Sequence, residues 1–275
     1  MELFPLYSEN YWIYFLFALL AFIILWFLYK KYLPNETTEG FYQKKPFLLK
    51  EGPASYDTFY TEIYEDLYKP RFFSVLDIDI LCKNTKCNQN NIILDIGCGT
   101  GHNIAVLKDK GYTKVFGIDN ALEMVQYTKN NNPYLIQYGD VTEDPMLYEN
   151  NTFSHILCTR FTIYEIKKKD ILLKHCYFWL SPGGVLLLHL VDPEKYDMSV
   201  PKSKIDSAIP EQLERITKTI IDFPGFTFTN NYEIKETVIQ RETFIDKKTE
   251  HVRQNERILY MDTKEHILEL ATQIG

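Results

Sequence analysis

The chain has 275 residues, of which 45% are hydrophobic and 24% charged, with a formal net charge of −7 at pH 7. That length holds one domain of ordinary size plus appendages, and the apolar share lets it bury a core. The acidic balance counts against a nucleic-acid partner, because neutralising phosphates takes a net basic face. The five cysteines are odd in number and three lie in or beside apolar runs, so they read as reduced buried thiols with no metal site. Cys82 and Cys87 lack the tight spacing of a zinc knuckle and have no second pair to complete one.

The first element is expected to be a membrane helix. Tyr11 to Tyr29, YWIYFLFALLAFIILWFLY, has no charged residue and is long enough to cross a hydrocarbon core of ~30 Å. Tyr11, Trp12, Trp26 and Tyr29 stand near its ends as an aromatic belt would. Glu2 and Glu9 precede it with no Lys or Arg, unlike a cleaved signal peptide. Lys30, Lys31, Lys44, Lys45 and Lys50 follow it, which places the body of the protein on the cytoplasmic side of a single-pass anchor. The expected organisation is an anchor over 1–32, a tether over 33–53 rich in proline and polar residues, and a folded domain over 54–275.

That domain opens with tyrosines 56, 60 and 64 at helical spacing, and a second helix follows from Pro70. Strand and helix then alternate: strand 92–96, helix 102–110, strand 114–118, helix 122–130, strand 135–138, strand 153–159, helix 168–180 and strand 185–191. Alternation of this kind predicts an α/β fold with a doubly wound, mostly parallel sheet. Beyond Pro193 the spacing predicts a helix around 210–221, an antiparallel hairpin turning at DKKT, and a last helix ending at Gly275. Along that hairpin Val238, Gln240 and Glu242 alternate with Ile239, Arg241 and Thr243, so neither face is strongly apolar and the hairpin is expected to be half exposed.

Three strand ends carry the chemistry. IILDIGCGTGHN, residues 92–103, runs from a strand through Gly97, Gly99 and Gly101 into a helix, with Asp95 ahead of the glycines. Such a turn lets backbone approach a ligand closely at a helix N-terminus. A dinucleotide fingerprint would need glycine at position 102, where His102 stands, so a nicotinamide cofactor is disfavoured. The next strand ends in Asp119, placed to accept from both hydroxyls of a ribose, and the one after it ends in Asp140. Each aspartate alone reads equally as a cap or turn residue; three acid-bearing strand ends in succession do not.

ILDIGCGTGHN, VFGIDNALEM, IQYGDVTE, FSHILCTRFTIYEI and LSPGGVLLLHLVD resemble the successive motifs of class I S-adenosylmethionine-dependent methyltransferases, from roughly Ser55 to Asp192. Within that family the chain looks closest to the group acting on small molecules and lipids. The resemblance implies a Rossmann-like fold, S-adenosylmethionine as cofactor, and Gly97, Gly99 and Gly101 beneath its methionine part with Asp95 near the amino group. It further implies Asp119 at the ribose, Asp140 and Val141 at the adenine, and Thr159 beside the sulfonium, with Asn120 also among the cofactor-binding residues. Tyr56 and Tyr60 resemble the lid over the methionine carboxylate; their other reading is an ordinary aromatic helix face. Arg160, Tyr164, Glu165 and His189 are candidates near the strand ends, with Tyr164 preferred as the catalytic residue and His189 read as a core histidine.

Two departures from the family stand out. No Asn/Asp-Pro-Pro-aromatic sequence follows the fourth strand, where CTRFTIYEI is found, so amino methylation of adenine or cytosine loses its usual signature. The family's sheet also ends with two further strands after the last helix. Here the hairpin precedes that helix, so it is either a roof over the substrate, within an insertion over about 194–262, or a replacement for those strands. The expected function is a membrane-anchored methyltransferase acting on a small molecule or lipid. The alternatives are a protein methyltransferase working near membranes and a non-catalytic module that binds the cofactor.

Overall fold

The computed structural model describes residues 11–32, 43–195, 200 and 217–275. The chain divides into two compact units, Met1–Tyr42 and Gln43–Gly275. In the first, Tyr11–Tyr32 is helix α1, and the described side chains 12–26 include exposed Trp12, Phe15, Phe17 and Phe22. The expected membrane span is not borne out: among the described residues no helix is long and apolar enough to cross a membrane.

The second unit contains two sheets. Its first elements are strand β1 (Phe47–Glu51), helix α2 (Thr58–Tyr68) and helix α3 (Pro70–Asn84). Asp57 caps α2 by accepting from the Tyr60 amide, and Lys69 breaks the chain in the left-handed region before Pro70 restarts it. There follow β2 (Ile93–Ile96), α4 (His102–Asp109), β3 (Val115–Asp119), α5 (Leu122–Asn131), β4 (Leu135–Tyr138), β5 (Phe153–Cys158), the short α6 (Thr162–Glu165), α7 (Lys169–Trp179) and β6 (Leu180–Leu188). Strands β2 to β6 form a parallel sheet in the order β4-β3-β2-β5-β6.

Every residue of β2 is buried because both faces of the sheet are covered. Leu94, Ile96, Ile118, Ile156 and Cys158 point to one side, against Leu172, Cys176 and Trp179 of α7. Ile93, Val115, Ile136 and Leu157 point to the other, against α3, α4 and α5 through Ile78, Leu81, Ile104, Leu107 and Val125. The strand order reverses between β2 and β5, and the crevice beyond their carboxyl ends is where open α/β sheets bind ligands.

The second sheet corrects several expectations. It comprises β1, β7 (Lys218–Asp222), β8 (Phe226–Ile234), β9 (Val238–Asp246) and β10 (Val252–Leu259), in the order β1-β10-β9-β8-β7. Phe47–Glu51, expected within the tether, pairs in parallel with Val252–Glu256, so the folded unit begins earlier than position 54. Of the helix expected around 210–221, residues 218–221 are strand, where β-branched Thr219, Ile220 and Ile221 pair with β8, and 210–216 lie outside the described residues. The hairpin does not extend the parallel sheet, so among the described residues no sixth or seventh strand completes that sheet. Its two faces differ: Val238, Gln240, Glu242 and Phe244 form a buried face, while Ile239, Arg241 and Thr243 on the other are only partly covered. A polar strand face is buried here because its charges meet partners on α2. The last helix, α8 (Lys264–Ile274), is capped by Thr263 and docks through Ile267.

Candidate active site

The glycine turn after β2 is held by both hydrogen bonding and sterics. Gly97 and Gly99 have φ of +66° and +49°, a region that costs a side-chain-bearing residue strain. A Cβ at Gly97 would collide with the Thr162 side chain, whereas one at Gly99 would face open space. Gly101 forms the left-handed N-cap of α4. Glu65 of α2 reaches across to accept from Thr100 Oγ1 at 2.8 Å and to meet His102 Nε2 at 2.6 Å. Sequence reasoning missed Glu65, because nothing in a helix interior marks a carboxylate aimed at a loop some 35 residues away.

Asp119 stands at the end of β3, where its Oδ2 accepts from the Gly99 amide at 2.7 Å and its Oδ1 from the Ala121 amide at 2.9 Å. Burial pushes its carboxyl up to about 6 against the pull of those two amides. Asp119, Asn120 and Thr159 line one cavity with the glycine turn, and Tyr56 and Tyr64 close it. Asp119 and Asn120 also line an adjoining cavity that holds Asp140, Val141 and Thr142. Asp140 Oδ1 accepts from the Thr142 amide and hydroxyl. The residues implied for ribose and adenine are therefore brought together.

Asp95 is placed differently. It is 1% exposed and borders none of these cavities. Its Oδ1 accepts from Asn103 Nδ2 at 3.0 Å, and the same nitrogen donates to Thr159 Oγ1 at 2.9 Å. Burial pushes its carboxyl up to about 7, opposed by Asn103 and reinforced by the Asp119 and Asp77 carboxylates. Asp95 Oδ2 and Asn103 Oδ1 are buried without a partner. Asp95 thus braces the cavity wall from behind through Asn103 and Thr159.

A third cavity, of about 430 Å³, lies between α2, the end of β6 and the second sheet. Tyr56, Tyr60, Tyr64 and Tyr68 line it from α2 and its approach, and Asn230, Tyr232, Gln240 and Arg257 from the sheet. The Arg257 guanidinium lies 4.7 Å from the Tyr56 ring centroid and 5.2 Å from that of Tyr60. Tyr60 is fully buried and donates to Glu242 at 2.8 Å.

Tyr164 borders this cavity, but its hydroxyl is committed to backbone, donating to the Val191 carbonyl at 3.2 Å and accepting from the Val191 amide at 2.9 Å. It ties the chain after β6 to α6, and its proton is committed to the Val191 carbonyl. His189, expected in the core, borders the cavity with Nε2 on Asp77 at 2.9 Å and Nδ1 accepting from the Arg160 amide. Glu165 is the residue common to all three cavities, and its Oε1 accepts from the Tyr56 hydroxyl at 2.8 Å. Among the described residues no cluster of His, Cys, Asp and Glu could hold a metal ion.

Residues 93–184 match the family model of the methyltransferase domain. Phosphoethanolamine N-methyltransferase 1 of Zea mays is 29% identical over 99 residues, which cover 35% of this chain and 20% of that protein. The tRNA N(3)-methylcytidine methyltransferase Mettl2 of Drosophila melanogaster is 25% identical over 179 residues, 60% of this chain and 54% of that protein. The chain thus spans between a fifth and about half of the length of these relatives. Among solved structures, an S-adenosylmethionine-dependent methyltransferase from Clostridium acetobutylicum superposes with a TM-score of 0.55 at 16% identity, covering 78% of this chain and 85% of that one. Residues 93–184 thus match a methyltransferase domain, and the superposition shows that the fold of the second unit is the one that this S-adenosylmethionine-dependent methyltransferase adopts.

Proposed function

We propose that the protein transfers the methyl group of S-adenosylmethionine to a small-molecule acceptor held in the tyrosine-lined cavity. The observation that carries this reading is the convergence of three cavities on Glu165. Two of them fit the cofactor: a Cβ at Gly99 would stand in the open space of the first, and Asp119, which lines both, offers a half-buried carboxylate for a diol. In this reading Asp119 and Asn120 hold the ribose, Asp140 and Val141 the adenine, and the turn from Gly97 to Gly101 the methionine part. When bound, S-adenosylmethionine supplies a methyl group activated by a positive sulfur. The chain's own task is to align a nucleophile with it and keep water out.

The third cavity has the volume of an ordinary small-molecule site and suits a whole metabolite or a single headgroup. The second sheet roofs it. Glu165, at the junction, accepts a hydrogen bond from the acceptor's neutral amine or hydroxyl, so turning its lone pair toward the cofactor cavity, and takes up the proton that the nucleophile releases on methylation. An amine is favoured because the maize relative is named for N-methylation of phosphoethanolamine. Glu165→Gln keeps an oxygen for Tyr56 but removes the charge. Its kcat is expected to fall about 100-fold while S-adenosylmethionine affinity stays within about three-fold, by isothermal titration. Unchanged kcat would remove Glu165 from the reaction.

A membrane attachment on the cytoplasmic side is proposed on the sequence of 11–29, which has no charge, and on the exposed aromatic side chains of α1. Full-length protein is expected to float with liposomes and residues 43–275 alone to stay in the aqueous fraction. Flotation of both, or of neither, would contradict attachment through α1.

A further inference from the structure

The wall that the second sheet turns toward the acceptor cavity is a chain of buried polar side chains whose donor and acceptor senses are fixed from one end. Glu242, 0% exposed, can only accept, and Arg257, 4% exposed, can only donate; they pair at 2.8 Å. Arg257 Nε donates to Gln240 Oε1 at 3.3 Å, which settles the orientation of that amide. Gln240 Nε2 therefore faces outward and donates to the Tyr68 hydroxyl at 3.4 Å and to Asn230 Oδ1 at 3.3 Å. Asn230 has its carbonyl occupied and its amide nitrogen left over. That nitrogen, Nδ2, is buried with no partner among the described residues, on a side chain that is 1% exposed and lines the cavity.

An unmet buried donor is costly, and a binding site is where such a cost is recovered, on ligand binding. A second donor in the same cavity is unmet too. Arg160 has a buried, unpartnered Nε, its guanidinium stacks 4.2 Å over the Phe73 ring, and among the described residues no carboxylate pairs with it. The other cations on the cavity are balanced, Arg257 by Glu242 and Lys195 by Asp192. Among the described residues the cavity thus carries surplus hydrogen-bond donors and an unpaired positive charge, with the carboxylate of Glu165 at its mouth to the cofactor side.

We propose that Asn230 is a specificity residue for the methyl acceptor: with Arg160 it receives an anionic oxygen group, phosphate or carboxylate, carried by the molecule whose nucleophile is presented at Glu165. The proposal rests on the methyltransferase reading given above and narrows its acceptor to an anion-bearing small molecule. Asn230→Asp is isosteric but replaces the donor with a repelling acceptor, so it discriminates between a binding role and mere packing.

The test uses full-length protein with S-adenosylhomocysteine bound, titrated calorimetrically with phosphoethanolamine, glycine and ethanolamine, followed by methyl-transfer assays on the same three. At least one of the two anionic amines is expected to bind at least about ten-fold more tightly than ethanolamine, the difference one charge-assisted contact makes. Asn230→Asp should weaken that probe about ten-fold or more and leave S-adenosylhomocysteine affinity unchanged; Arg160→Gln should weaken it likewise, and serves if the first variant fails to fold. Equal binding of ethanolamine, binding of neither anion, or an anion affinity indifferent to both variants would overturn the proposal. Failure of S-adenosylhomocysteine to bind at all would instead overturn the methyltransferase reading.

Discussion

Replacing Glu242 with alanine is expected to destabilise the folded unit by about 3–5 kcal/mol, the loss typical when one partner of a buried ion pair is removed. Glu242 accepts from Tyr60 and Tyr68 of α2 and pairs with Arg257 of β10. Without it a guanidinium stays buried with no opposing charge, and two phenols lose an acceptor. The cost comes from that stranded charge more than from the pair's own attraction, since bringing two charges out of water offsets most of what they gain from each other. Exchanging both partners for apolar residues of similar size, as in Glu242→Leu with Arg257→Met, should therefore recover much of the loss. Urea denaturation of the three proteins measures both effects. A loss below about 1 kcal/mol for Glu242→Ala would mean that water reaches the pair and that the second sheet does not lock α2 in place.

Asp119→Ala is expected to weaken S-adenosylmethionine binding by about 1.5–3 kcal/mol, the worth of charge-assisted hydrogen bonds to a diol. A pH dependence accompanies it. Burial pushes the Asp119 carboxyl up to about 6, so in the free protein the charge is lost as pH falls through that value. A ligand that donates to the carboxylate favours the ionised form, so wild-type affinity should rise between pH 5 and 7 and level off above. Asp119→Asn should bind more weakly and lack the rise centred near pH 6. Stability of the free protein runs the other way. The raised carboxyls of Asp119 and Asp95 contribute most below their unfolded pKa of about 3.9, and that contribution is lost as pH rises through about 6 and about 7. Flat affinity across that range, or wild-type affinity in the alanine variant, would take Asp119 out of the cofactor site.

The half proposed to hold the cofactor was legible in the sequence because its signals are local. Apolar runs of four or five residues marked β2 to β4, and the residue closing each run fell at the carboxyl edge where ligands bind. Asp119, Asp140, Gly97 and Gly99 follow from that rule alone. Asp95 lies one residue short of the turn, and the alternation of a strand sends its side chain inward to Asn103. The acceptor half was not legible, for a different reason. Glu242, Gln240 and Asn230 look like the solvent face of a hairpin, since no local pattern shows that Arg257 and the α2 tyrosines will meet them. Tyr164 does border the acceptor cavity, but no local pattern showed that a backbone amide and carbonyl at Val191 would bind its hydroxyl. The start of the second sheet at Phe47 was hidden because β1 pairs with a partner some 200 residues away.

The most direct measurement of the central claim is methyl transfer itself. Full-length protein incubated with methyl-labelled S-adenosylmethionine and a cell extract, then separated into small-molecule, lipid, nucleic-acid and protein fractions, should place the label in a small molecule. Glu165→Gln, run in parallel, should leave that fraction nearly unlabelled while still binding the cofactor. Label in RNA or protein, or equal labelling by wild type and variant, would contradict a small-molecule acceptor presented at Glu165.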